Sequence, residues 1–597
     1  MMDFPCHALR KNHAGGMPHR VVYLDTETAP ESYGVYQRHT MKLAWTCAVR
    51  YGDGGAAERE SWEEWREGLD LCTYLDKVCV PETAVYLFGH NIFFDLQASG
   101  FFQWFAKWGW ICQFYYEKGV TYILIAAKEG RCLKAVSSTN YYECSLRELG
   151  KMVGLEKGEV DFASADSTEL SRYCRRDVEI LRLGMERYFA FLRTNDLGRF
   201  RLSKASQAMA AYRHRFMSTP IFLHQHEEVR KLERESYFGG RVDCFRLGKI
   251  KGGPFLSLDV NSMYPFIMAT KPVPVRLVDY RPNFSLEEIH DVLSTFGVVS
   301  RVDLDCDLPI YPVRQDRKVL YPIGRFSTVL GTCALKDALH RGVVLKIKET
   351  ALYETAIAFS EYVEFFHALK ERYTALNQPA DRYLVKKLLN ALYGKWAQKR
   401  PIVEENVELE YAGYYREEIL DLVTGRTEIE WKLLNKWVRL FGEEDTEQTF
   451  TAISAAITEQ ARMYLWSMIE PLYPDKVLYC DTDSLKIRKS DLCHLTAEVS
   501  DHKLGALKIE EEFDSLHIYG PKAYVTERSR VIKGVPKRAE QVGPVSYQYT
   551  SFLQQATHQR ARVDTGSLTR EVTKTLSLRY DKGTVLRDGR VIPFRFG

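Results

Sequence analysis

The chain has 597 residues, 45% of them hydrophobic and 13% aromatic, with a net charge of only +3. That length allows about four domains with cores of their own. The near-neutral balance excludes a uniformly basic shell, so a nucleic-acid partner has to be met by local basic patches and metal ions. The thirteen cysteines contain no Cys-x-x-Cys pair, which argues against a zinc ribbon and a disulfide framework and suits a reducing cytoplasm. Met1 to Arg20 lacks the apolar stretch of a secretory signal, and no run of eighteen apolar residues offers a membrane span.

In chain order, Val21-Val22-Tyr23-Leu24 predicts a buried strand that runs into Asp25-Thr26-Glu27. Alternation along a strand puts Asp25 and Glu27 on one side. Ala84 to Phe88 predicts a second strand, followed by Asn91-Ile92-Phe93-Phe94-Asp95. A helix is expected from about Ser167 to Leu192, with Tyr173 and Asp177 sharing a face at i and i+4. Asp25, Glu27, Asp95 and Asp177 therefore form a candidate two-metal cluster. They are hard oxygen ligands for Mg²⁺ or Mn²⁺, and the Tyr173 phenol can orient an attacking water.

Further on, Phe255 to Leu258 reads as a strand leading into Asp259-Val260-Asn261-Ser262-Met263-Tyr264-Pro265. Pro265 is expected to stop it, leaving backbone N–H groups beside an acid as a cradle for a triphosphate. Asp381 to Trp396 predicts a helix. Lys386, Asn390 and Tyr393 lie along one face, and Leu388, Leu389, Leu392 and Trp396 along the other. Gly394 lets a base pair come close to the backbone. Val477 to Tyr479 and Leu485 to Ile487 predict a hairpin with Asp481 and Asp483 at its tip. Two carboxylates that close raise a pKa unless a cation neutralises them. Past Tyr524, Arg528, Arg530, Lys533, Lys537 and Arg538 make a basic stretch suited to duplex phosphates.

The amino-terminal set resembles the RNase H-like 3′–5′ exonuclease of family B DNA polymerases. That likeness implies metal binding by the four carboxylates, water positioning by Tyr173, and contacts to a single-stranded 3′ end by Thr28, Asn91 and Phe94. It also implies an auxiliary basic residue, for which Lys151 and Arg147 are both candidates. Asp259, the Lys386–Gly394 helix and Asp481/Asp483 resemble motifs A, B and C of the same family, in that order. Lys522-Ala523-Tyr524 resembles its Lys-x-Tyr motif, and Leu504-Gly505-Ala506-Leu507 with Glu510 resembles the segment before it. By resemblance, Asp259, the Val260 carbonyl and Asp483 hold two ions, with Asp481 as the neighbouring carboxylate. Lys386 neutralises triphosphate charge, Tyr264 gates against a ribose 2′-OH, and Tyr393 packs on the nascent pair. Asn390 and Gly394 shape that pocket, while Lys522 and Tyr524 steady the primer terminus. Ala391 departs from the family, which often carries Ser there.

Tyr237-Phe238-Gly239-Gly240 resembles the linker motif of protein-primed phage and linear-plasmid polymerases, in which Tyr237, Gly239 and Gly240 would contact the template. The 121 residues from Pro265 to Lys386 and the 87 from Gly394 to Asp481 leave room for that group's two insertions. The second includes an alternating hairpin candidate at Leu420–Glu430. The expected architecture is multidomain, α/β and α+β. An exonuclease domain (1–200) precedes a right hand built of palm (201–269 and 446–530), fingers (356–399) and thumb (531–597). The insertions occupy 270–355 and 400–445. The expected activity is templated, strand-displacing DNA synthesis with 3′–5′ proofreading, using two Mg²⁺ or Mn²⁺ ions per site. Expected partners are template-primer DNA, dNTPs and a terminal protein, with the enzyme a monomer in the host cytoplasm. The alternatives are an enzyme using only nucleic-acid primers or none, a DNA-binding scaffold, and a nuclease without polymerase activity.

Overall fold

The computed structural model describes residues 4–162, 164–408, 413–420, 422, 425, 427–577 and 579–597. Its amino-terminal lobe is built on a ten-stranded sheet. Strand Arg20–Tyr33 lies at its centre, antiparallel to Tyr36–Tyr51 and parallel to Ala84–Gly89, which in turn runs parallel to Arg131–Ser137. Alternation divides the central strand between two cores. Val21 and Tyr23 face helix Ser167–Thr194 through Val178, Leu181 and Phe189. Val22 and Leu24 face the shorter helices through Leu71, Leu75 and Phe105. The long helix begins where Asp166 accepts hydrogen bonds from the backbone of Thr168 and Glu169, both at 2.8 Å, a side-chain cap.

The central lobe holds a five-stranded sheet in the order Val242–Cys244, Val477–Asp481, Ser484–Arg488, Phe255–Val260, Leu507–Phe513. Helix Thr451–Ile469 packs into the core beneath it through Ile453, Ile457 and Leu465. Two helices, Ser360–Ala375 and Pro379–Lys395, stand beside each other. On the second, Leu388, Leu389, Leu392 and Trp396 are buried, while Lys386 and Asn390 are exposed. Pro265 stands inside helix Met263–Thr270, not at a strand stop. In a first turn its missing N–H costs nothing.

Two further sheets have their own topology. One orders Val273–Pro282, Val344–Ala356, Gly297–Cys306 and Ile323–Gly331, with Arg595–Phe596 parallel at its edge. The other orders Lys399–Val407, Lys436–Asp445, Thr427–Leu433 and Tyr415–Leu420. Of the Leu420–Glu430 hairpin candidate, Asp421, Val423, Thr424 and Arg426 lie outside the described residues. The flanking strands pair antiparallel, Leu420 opposite Thr427.

Strands Ser546–Phe552 and Ser567–Thr575 do not stand apart as a separate sheet. Ser567–Thr575 pairs with Gln37–His39 and carries Ser546–Phe552 with it, so both extend the amino-terminal sheet. Strand Tyr36–Tyr51 would otherwise present unpaired N–H and C=O groups along that edge.

Candidate active sites

At the amino-terminal sheet, Asp25 and Glu27 come from the central strand, Asp95 from the first turn of helix Ile92–Ala98, and Asp177 from the long helix. Asp95 is oriented by Thr26, whose backbone N–H and hydroxyl donate to its Oδ1 at 3.1 and 2.8 Å. Burial and mutual repulsion push the acids toward their neutral forms. Glu27 rises to about 8 and Asp95 to about 7, desolvation being the largest cause in each. Asp25 rises well above its usual range through burial and then through Asp177, Asp95 and Glu27. Three buried carboxyls and the half-buried Asp25, within one another's field, could hold a cation.

Lys157 is the basic group that touches these acids. Its ammonium pairs with Asp177 Oδ2 and stands 4.5 Å from the centre of the Tyr173 ring. The two sequence candidates are placed differently. Arg147 is paired with Glu159 at 3.1 Å, and Lys151 sits in the last turn of helix Leu146–Val153. Lys157 lies in an irregular loop after Gly154, where no periodicity assigns a facing. Asn91 is exposed at the start of its helix, and Phe94 packs edge-on against Phe552 at 5.5 Å. Both line a cavity of about 320 Å³ with Thr121, Ser137 and Phe552. Thr28 Oγ1 is 3.2 Å from His39 Nδ1.

At the central sheet, Asp259 ends its strand opposite Ser484, and the Val260 N–H donates to the Asp483 carbonyl at 2.8 Å. Motifs far apart in the chain thus meet in adjacent strands. Asp259 is raised to about 7 by burial, then by Asp483 and Glu510, with Lys386 and Lys508 opposing. Asp483 is raised to about 6, again chiefly by burial. Asp481 is differently placed, because both its oxygens accept from Lys522 Nζ, at 2.7 and 2.8 Å. Glu510 enters through a bulge. Ser257 faces Glu511 and Leu258 faces Ile509, so Glu510 is the unpaired extra residue. Alternation alone cannot assign such a residue a side.

Around these acids, the Tyr264 and Tyr393 rings lie 4.4 Å apart. Gly394 has open space where a Cβ would sit. A Cβ on Gly240 would fall 2.8 Å from Thr482 Oγ1 and 3.0 Å from the Tyr264 hydroxyl. Gly239, at φ +79°, receives Arg462 Nη1 on its carbonyl at 2.6 Å, and the Tyr237 carbonyl receives Arg314 at 2.8 Å. Tyr524 lies over Lys486, whose ammonium is 4.3 Å from the ring centre and whose pKa burial lowers to about 8. Neither Arg462 nor Lys486 is signalled by a motif.

A family model described as DNA polymerase type B, organellar and viral, matches residues 156–473, more than half of the chain. The chain belongs to that family. Among curated relatives, a probable DNA polymerase of Neurospora intermedia is 25% identical over 341 residues, 53% of this chain and 33% of that protein. The DNA-directed DNA polymerase of Enterobacteria phage PRD1 is 24% identical over 312 residues, 50% of this chain and 52% of that protein. The chain thus spans between a third and about half of these relatives. Phi29 DNA polymerase, solved with primer-template DNA and incoming nucleotides, superposes with a TM-score of 0.66 at 15% identity, covering 94% of this chain and all of that one. The chain shares that polymerase's multidomain fold, a sheet-based amino-terminal lobe joined to a right hand of palm, fingers and thumb. The family generally uses divalent metal ions. Among the described residues no helix is long and apolar enough to cross a membrane.

Proposed function

We propose that this chain is a template-directed DNA polymerase with a proofreading 3′–5′ exonuclease, primed by a terminal protein and able to displace a strand. The observation that carries the reading is the pairing of Asp259 with the Asp483 segment at the strand ends of one sheet, while a second carboxylate set stands on another.

In synthesis, a 3′-hydroxyl of the primer, or a hydroxyl of the terminal protein, attacks the α-phosphorus of a dNTP and pyrophosphate leaves. Asp259, the Val260 carbonyl and Asp483 would fit a pair of Mg²⁺ or Mn²⁺ ions, because they are oxygen donors and burial beside other acids raises both carboxyls, to about 7 and about 6, in the absence of a cation. Such ions supply charge stabilisation for the attacking and leaving oxygens. Lys386, exposed on its helix near Asp259, offsets triphosphate charge. The Tyr264–Tyr393 pair closes the sugar side of the pocket against a 2′-OH, and Asn390 and Gly394 leave room for the nascent pair. Lys522 and Tyr524 hold the primer end. Tyr237, Gly239 and Gly240 carry template past the Thr482 turn.

In trimming, Asp25, Glu27, Asp95 and Asp177 fit a second ion pair, since Asp177 Oδ1 is buried without a partner. Tyr173 and Lys157 hold the water, and Thr28, Asn91 and Phe94 hold the frayed 3′ end. The sheets within 270–355 and 400–445 are the two insertions of a protein-primed enzyme. One faces the terminal protein and the other the template and product. Residues 1–200 form the exonuclease domain, 201–269 and 446–530 the palm, 356–399 the fingers, and 531–597 the thumb. The enzyme acts as a monomer in the host cytoplasm.

The test uses Asp259→Asn and Asp25→Ala in the full chain, assayed on a primed template and on a single-stranded oligonucleotide. Asp259→Asn should lose extension by about a hundredfold or more and keep trimming, and Asp25→Ala the reverse. Labelled dATP, Mg²⁺ and terminal DNA, with and without a candidate terminal protein, test the priming mode. A labelled protein band should require the partner. Extension of DNA primers with no such band favours an enzyme that uses nucleic-acid primers.

A further inference from the structure

We propose that Cys174 makes the trimming centre a thiolate-bearing site for a thiophilic divalent cation of the Zn²⁺ or Cd²⁺ class, shared with Asp25 and Glu27. The inference rests on the reading of that centre as a metal site. Cys174 precedes Asp177 by three residues on the long helix, so both side chains reach the same side. Its Sγ lies 3.3 Å from the Asp25 carbonyl and 3.7 Å from Asp25 Oδ2. Ligand atoms of Asp25, Glu27 and Cys174 all lie within 4.8 Å of one another.

The thiol donates to the Asp25 carbonyl, and the Sγ–Oδ2 spacing also suits two donors that share a metal. A tetrahedral ion about 2.3 Å from sulfur and about 2.1 Å from oxygen separates the two donors by about 3.6 Å, close to the observed Sγ–Oδ2 distance. A second observation points the same way. Asp177 is 2% exposed, its Oδ1 has no partner, and its charge is the leading charged neighbour of both Asp25 and Glu27. Behind the thiol, Leu43 and Leu170 close the apolar flank, so Sγ is approached from the carboxylate side. Mg²⁺ prefers oxygen donors in octahedral array and leaves the thiol idle. A softer ion recruits it, the Sγ–H proton passing to solvent as the Sγ–metal bond forms. At the synthesis centre, Cys480 lies opposite Asp243 in the strand pairing, one residue out of phase with Asp481 and so on the other face. Thiophilic ions should therefore compete with Mg²⁺ at trimming and spare synthesis.

The experiment titrates Co²⁺ into the full-length protein and records sulfur-to-cobalt charge-transfer absorption in the near ultraviolet. The band should appear in the wild-type chain and vanish in Cys174→Ser. Zn²⁺ competition against Co²⁺ should weaken roughly tenfold or more in that variant. Cys174→Ala, with a wild-type circular dichroism spectrum, guards against misfolding. No band in the wild type, or an equal band in both variants, overturns the proposal. Mg²⁺-dependent trimming by the same preparation separates the two levels. Trimming without a band removes only the sulfur site, whereas absent trimming removes the exonuclease reading.

Discussion

Asp259 and Asp483 carry a pH dependence whose sign is set by burial. Their carboxyls ionise near about 7 and about 6 when folded, against 3.8 ordinarily. Between those values the folded chain holds more protons than the unfolded one, so this share of stability is complete below the ordinary value. It is lost as pH rises through about 6 and 7. Glu27 and Asp95 act in the same direction. The melting temperature of chelator-treated protein should fall across that window, and Mg²⁺ should flatten the fall because it binds the ionised acids. Calorimetry against pH, with Asp259→Asn lacking its share, checks this. A flat metal-free profile would count against the buried placement of these acids. Lys157 makes a second prediction at this scale. Lys157→Met should lower trimming by about a hundredfold and leave primer extension within about twofold, as read by parallel assays on one preparation.

Among elements, the helix Pro379–Lys395 and the hairpin of Asp481 and Asp483 are legible in the sequence, because each buries one side and exposes the other. The helical period of Leu388, Leu389 and Leu392 leaves a single way to pack, so Lys386 and Asn390 had to point outward. The linker glycines show what spacing does not tell. Position 240 takes glycine because the turn at Thr482, with φ +60°, comes against it. A Cβ there must displace that turn or the Tyr264 hydroxyl. Gly240→Ala should cost about 1–3 kcal/mol by overpacking and lower kcat for extension more than it raises the dNTP KM. Denaturant melts and steady-state extension measure the two effects, and a wild-type kcat would show that the turn yields freely.

For the molecule as a whole, one turn of the sheet within 399–445 helps fasten that sheet to the amino-terminal lobe. Leu434 and Asn435 have φ of +44° and +58°, and Leu433 and Leu434 bury themselves in that lobe's core. Asn435 Nδ2 donates to the Ala106 and Trp110 carbonyls at 2.7 and 3.1 Å, while the Leu434 carbonyl accepts from Cys112 N–H at 2.9 Å. Asn tolerates the left-handed backbone, and its amide satisfies two buried carbonyls. Asn435→Ala leaves both unpaired, at about 1–3 kcal/mol. It should free the sheet to limited proteolysis near residue 435 and shorten products in single-turnover extension. Unchanged protease sensitivity would mean that the apolar contacts suffice.

Local chemistry written in the sequence determined the strands, the long helices and which carboxylates stand at the strand ends, since apolar periodicity and acids at strand ends are short-range signals. It left open the identity of Lys157, the bulge that presents Glu510, and the return of residues 546–575 to the first sheet. Each of those is settled by which distant segment arrives at an unsatisfied edge, turn or charge, and that is decided only when the whole chain packs.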